Sequence, residues 1–133
     1  MSHISVAPTD LYIDGYANNS VISVDSAQQS MTLTCWCRAA KPPPTITWLH
    51  NDVTVTSPAP TPGVTSSTAA GGRLWDAWSV VLVEQLSSRL SGDIYTCRCE
   101  NSASAQPSHF VVQLHVLGQY DCAASSTLIY CLA

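Results

Sequence analysis

Met31-Thr32-Leu33-Thr34-Cys35-Trp36-Cys37-Arg38 and Asp93-Ile94-Tyr95-Thr96-Cys97-Arg98-Cys99-Glu100 decide how this chain is read. Both segments alternate with period two, the repeat of an extended strand whose successive side chains point to opposite faces. Met31, Leu33, Cys35 and Cys37 share one face of the first. Tyr95, Cys97 and Cys99 share one face of the second. Between them, Thr45-Ile46-Thr47-Trp48-Leu49-His50 places Ile46 and Trp48 together, and Pro42-Pro43-Pro44 ends the segment before it, because prolines donate no ladder hydrogen bonds.

Further strands follow from the same alternation. Tyr12-Ile13 and Val21-Ile22-Ser23-Val24 read as one broken strand, interrupted by the turn residues Asp14-Gly15 and Asn18-Asn19. Trp78 to Glu84 is a strand whose continuous apolar run leaves its facing open, and residues 109–116 alternate Phe110, Val112, Leu114 and Val116 against Val111, Gln113 and His115. Residues 57–72, rich in Pro, Ser, Thr, Ala and Gly, show no apolar periodicity and are expected to form a long loop. Helical periodicity is not sustained anywhere. Seven or more short strands separated by turns predict an all-β antiparallel sandwich.

Composition bounds the function. With 133 residues the chain can bury its own core. Charged residues make up 11%, and the net charge is −4 with five Lys plus Arg, too few cations to neutralise phosphates, so nucleic acid is not an expected partner. No apolar run is long enough to cross a membrane, so no direct insertion by this segment is expected. Met1-Ser2-His3 lacks the basic and apolar regions of a signal peptide. Six cysteines in so charge-poor a chain nevertheless point to an oxidising, extracellular setting, and the reading that reconciles the two is an excerpt of a larger secreted or surface protein. Asn18-Asn19-Ser20 is an N-glycosylation sequon and makes Asn18 a candidate glycan site.

Cys35, Trp48 thirteen residues later, and Tyr95-Thr96-Cys97 together resemble the immunoglobulin superfamily, most closely the I-set domains of adhesion molecules and receptor ectodomains, receptor tyrosine kinases among them. The flanking Lys41-Pro42-Pro43-Pro44-Thr45-Ile46-Thr47-Trp48 and Cys99-Glu100-Asn101-Ser102-Ala103 also look like I-set sequence. The resemblance implies an immunoglobulin-like sandwich with Greek-key connections over residues 1–117, with Cys35 on strand B, Trp48 on strand C and Cys97 on strand F. It implies a Cys35–Cys97 bridge with Trp48 packed on it, and a corner role for Tyr95, its hydroxyl bonding backbone upstream. Two slots depart from the family pattern. Ser91 and Asp93 stand where Asp and Gly are usual, so the Asp that commonly pairs with a basic residue at the base of the sandwich is missing or displaced. No Phe-Gly-x-Gly motif follows strand F, which argues against an antibody-like variable domain.

The cysteines are doubled. Strands B and F run in the same direction in this fold, so a step of two residues along each carries Cys35–Cys97 to a second, parallel bridge, Cys37–Cys99. By loop closure the first stabilises by about 4 kcal/mol, and the second, closing a small extra ring, by about 2 kcal/mol at most. The alternatives are one bridge with two free or differently paired thiols, and a zinc site, which is disfavoured because Cys-x-Cys on a strand lacks the turn that structural zinc prefers. Residues 118–133 form a cysteine-containing extension or a linker to a missing domain. There Cys122 and Cys131 either bridge locally or pair with another domain or chain.

An enzyme is not expected. His3, His50, His109 and His115 are scattered, Asp52, Asp76, Asp93 and Asp121 sit in or beside turns, and no catalytic residue, cofactor site or metal site is assigned. The expected function is an extracellular protein-binding or adhesion module of a cell-surface receptor, homophilic contact included, working through the outward residues of strands C, F and G. Those are Thr47, Leu49, Ile94, Thr96, Arg98, Val111 and Gln113. Two alternatives stand beside it: immune-type ligand recognition through the end loops at residues 42–44 and 102–108, and a spacer in a tandem array.

Overall fold

The first strand breaks because its middle consists of turn residues. The computed structural model describes residues 4–69, 72–117, 121–124 and 129–132, with backbone alone at 67–69, 72, 88, 121–124 and 129–132. In it, β1 (Asp10–Ile13) and β2 (Ser20–Asp25) lie in different sheets. Gly15 at φ +88° and Asn19 at φ +62° turn the chain between them, in the left-handed region that Gly enters freely and Asn tolerates. The remaining strands are β3 (Ser30–Ala40), β4 (Thr45–His50), β5 (Val53–Thr54), β6 (Thr61–Ala69), β7 (Gly72–Glu84), β8 (Ile94–Glu100), β9 (Ser108–Leu117), β10 (Asp121–Ala124) and β11 (Ile129–Leu132).

One sheet has the order β1-β3-β7-β6 and the other β2-β9-β8-β4-β5, while β10 and β11 pair with each other. All pairs are antiparallel except β2 with β9, which run parallel from Ser20↔Val112 to Asp25↔Leu117. The expected antiparallel sandwich is thus formed, with one parallel pair at the β2 edge. By crossing from one sheet to the other at residues 14–19, the chain lays its second half beside the last strand in the same direction.

Inward positions follow the predicted parity. Leu33, Cys35 and Cys37 on β3, Trp48 on β4, Cys97 and Cys99 on β8, and Phe110, Val112, Leu114 and Val116 on β9 are all buried. The facing of β7, open from sequence, is decided by its register against β3: Ala77, Ser79, Val81 and Val83 turn inward and Trp78, Val80 and Leu82 outward. Cys35 is bonded to Cys97 and Cys37 to Cys99, across Cα separations of 6.4 and 6.5 Å. These bridges spend all four thiols, and zinc needs thiolates. Cys122 stands opposite Cys131 in the β10–β11 register, but the proposed bond between them lies outside the described side chains.

Residues 57–72 depart from expectation. Thr61–Ala69 is β6, paired with β7 in unbroken register from Thr61↔Val80 to Ala69↔Gly72, where a long loop was expected. An edge strand facing water on most of its surface needs no apolar alternation, and Pro62 is tolerated because the outer edge has no ladder partner. Gly63 has a packing role: the Trp78 indole lies over it, so that any Cβ there would collide with the ring.

Candidate protein-binding face

The outward parity of the five-stranded sheet builds one continuous surface. Register aligns Leu49, Thr96 and Val111 in one row across β4, β8 and β9, and Thr47, Arg98 and His109 in the next. A third row runs Ile94, Gln113 and Val21 across β8, β9 and β2. Ile94 is 40% exposed and Val21 59%, and Leu117 adds a further exposed apolar side chain at the end of β9.

The sequence-derived set separates by accessibility. Gln113 is exposed, and Thr47, Leu49, Arg98 and Val111 are partly so. Thr96 is 7% exposed, which corrects its expected place as a contact residue. It faces outward from the central strand, but its short side chain lies in one row between the longer Leu49 and Val111. Val21 was missed, although its opposition to Ile22 and Val24 in the alternation of β2 was a legible signal. Leu117 was missed because the alternation was read only to residue 116.

The Arg98 side chain makes no hydrogen bond or ion pair among the described residues, so its guanidinium is uncommitted on a face whose other strand charges, Asp25 and Glu100, lie toward its margins. Arg38, on the outer face of the other sheet, is tied instead to the Tyr12 hydroxyl at 3.4 Å and to Asp76 at 3.5 Å, and its ring neighbour is Trp36, which packs on Trp78. The Tyr12 hydrogen bond first, then the Asp76 charge, hold the Arg38 pKa above its ordinary value.

At one end of the face His50 Nε2 lies 2.7 Å from Asp93 Oδ2. Asp93, two positions along from the slot where the resemblance places an Asp, is thus partnered by His50. The His50 ring stacks on Tyr95 at 4.4 Å and 9°. The Tyr95 hydroxyl makes no hydrogen bond among the described residues, so the expected corner bond is replaced by this stack. Burial first, and the nearby Asp93 charge second, raise the Tyr95 pKa. At the β2 edge, the exposed Asn18 accepts a hydrogen bond from Val111 N at 2.8 Å through Oδ1, and Asn19 N donates to Val111 O at 2.7 Å.

At the opposite end Asn101 gathers three segments: its Nδ2 donates to Val6 O and Pro42 O at 2.8 and 3.0 Å, and its Oδ1 accepts from Ala103 N at 3.0 Å. No three His, Cys, Asp or Glu side chains among the described residues cluster as metal ligands, and no helix among them is long and apolar enough to cross a membrane.

Comparison with known proteins agrees with this architecture. No curated protein matches the sequence. The crystal structure of Rst D1-D2 is similar to it with a TM-score of 0.68 at 18% identity, over 84% of this chain and 50% of that one. The likeness is one of fold, and the chain spans half the length of that structure. The family model described as Immunoglobulin domain matches residues 26–110, well over half of the chain, which therefore belongs to the immunoglobulin domain family.

Proposed function

We propose that this chain is an extracellular protein-binding module, of the adhesion or receptor type, that engages a protein partner through the outer face of β2, β9, β8 and β4. The carrying observation is the apolar surface of Val21, Leu49, Ile94 and Val111 around an Arg98 side chain with no partner of its own. Apolar side chains with an arginine anchor and few other charges are what the buried centre of a protein interface uses. A second copy of the chain is the simplest such partner, because the face carries both signs, Arg98 with Glu100 and Asp25, and so can complement itself. An immunoglobulin domain cross-linked by disulfides is consistent with an extracellular location. We assign the binding domain to residues 1–117 and an extension or linker to 118–133, with a glycan site at Asn18 beside Val111.

The test replaces Leu49 and Val111 together by Glu. Light scattering across a concentration series is expected to show self-association of the native chain and a monomeric variant, since docking would bury two unpaired carboxylates. Both side chains are outward and only partly covered, so thermal stability should change little. Unaltered association by a normally folded variant would defeat the reading. It would favour instead the loop end that Asn101 holds together.

A further inference from the structure

The two sheets are joined at their centre by the bridges, and on one flank β7 turns small side chains inward. Sheets in a sandwich stand about 10 Å apart, a gap that opposed large side chains normally fill. On β7 the inward positions Val81 and Val83 do so, but Ala77 and Ser79 are small, and they face Ile46 of β4 and the preceding Pro44. An open groove of about 480 Å³ runs there between β4 and the β6–β7 edge, with the exposed Pro62 and Val64 at its β6 wall.

Two properties of the groove point to a ligand. No lining residue carries a formal charge, and most of the wall is Pro, Ile, Val and Ala. The side chain of Ser79, a wall residue 3% exposed, makes no hydrogen bond among the described residues. Its oxygen is not shut away from the groove, so a bound molecule can supply the partner that the protein does not. We propose that this flank groove binds a small, neutral, mainly apolar molecule whose single hydrogen-bonding group meets the Ser79 hydroxyl. Charged ligands are disfavoured because the wall offers no counter-charge. An apolar cavity of about 150 Å³ holds benzene, so the space here takes roughly eighteen non-hydrogen atoms at most, within the range of small-ligand sites. This site lies at the flank of the sandwich, beside β4, β6 and β7, and is separate from the outer face of the five-stranded sheet.

1-Naphthol is a suitable probe, being neutral, aromatic and within that size, with one hydroxyl; naphthalene is the same probe without it. Titration of the full chain, followed by amide chemical shifts, should give saturable one-to-one binding of 1-naphthol with changes concentrated at Ile46, Val64, Ala77 and Ser79. Ser79→Ala should weaken 1-naphthol about five- to tenfold and leave naphthalene unaffected. Ala77→Leu should abolish binding by filling the space. Val64→Phe, at a half-exposed wall position, should do so with a native melting curve, which separates a filled groove from a failed fold. Absence of saturable shifts, shifts spread over both sheets, or native affinity in the Val64→Phe chain would overturn the proposal. So would a Pro- and Leu-rich hexapeptide occupying the groove when 1-naphthol does not, which would make it a peptide site.

Discussion

Tyr95 lies flat on His50, and His50 in turn reaches Asp93, so one aromatic ring is held by stacking and one imidazole by a carboxylate. The Tyr95 hydroxyl contributes no hydrogen bond among the described residues to this arrangement. Tyr95→Phe is therefore expected to change stability at neutral pH by less than about 0.5 kcal/mol, measured by denaturant unfolding. At alkaline pH the hydroxyl matters. Its pKa is raised in the folded chain, so above the ordinary value of 10.0 the unfolded chain loses this proton first and stability falls as pH rises. Tyr95→Phe should flatten that decline. Equal alkaline slopes in the two proteins would show that Tyr95 is not the titrating group. Sequence parity placed this ring inward, but it could not foresee that His50 and Asp93 would take the place of the corner bond, because that depends on where two separate turns bring their side chains.

At the scale of single strands, β3 is the least regular. Its pairing with β7 runs in step from Ser30↔Glu84 to Cys37↔Ala77 and then slips, so that Ala40 meets Trp75. Ala39 absorbs the extra residue at φ +63°, and Asp76 secures the bulge by accepting from Ala39 N at 2.9 Å while holding Arg38. Asp76 is itself buried. Asp76→Ala leaves the Ala39 N–H without its acceptor and should cost roughly 1–3 kcal/mol, read from the denaturant midpoint. A loss within experimental error would mean that the ladder alone holds the bulge. The regular part of β3 is visible in its alternation, whereas the slip is not, since Arg38 and Ala39, the residues within it, are neither Gly nor Pro. β6 was hidden for a related reason: an edge strand half in water satisfies itself with Ser, Thr and Gly, the composition of a loop.

For the molecule as a whole the bridges dominate. Both span a sequence separation of 62, so loop length does not distinguish them, and either one alone closes nearly the same loop. Replacing Cys37 and Cys99 by Ala should thus cost at most about 2 kcal/mol, the value of the small ring between two neighbouring bridges. Removing the second pair as well should cost about 4 kcal/mol more. Denaturant unfolding of the single and combined variants checks this, and equal, additive losses would contradict it. Cys35 and Cys97 belong to the hydrophobic cluster with Trp48, so their removal adds a packing loss that the outer pair does not share.

The local pattern of residues was enough for the strands β3, β4, β8 and β9, for their inward faces and for the sandwich, because period-two alternation is a property of each segment alone. It also sufficed to place four cysteines toward one core. Pairing between segments was needed for the rest. The facing of β7 came from its register on β3, and the burial of Thr96 from neighbours on two other strands. The flank groove arises where Ala77 and Ser79 stand across from Ile46. Such features belong to no single segment: side chains distant in sequence create them when the sheets meet, and local alternation holds no information about which positions will be opposed.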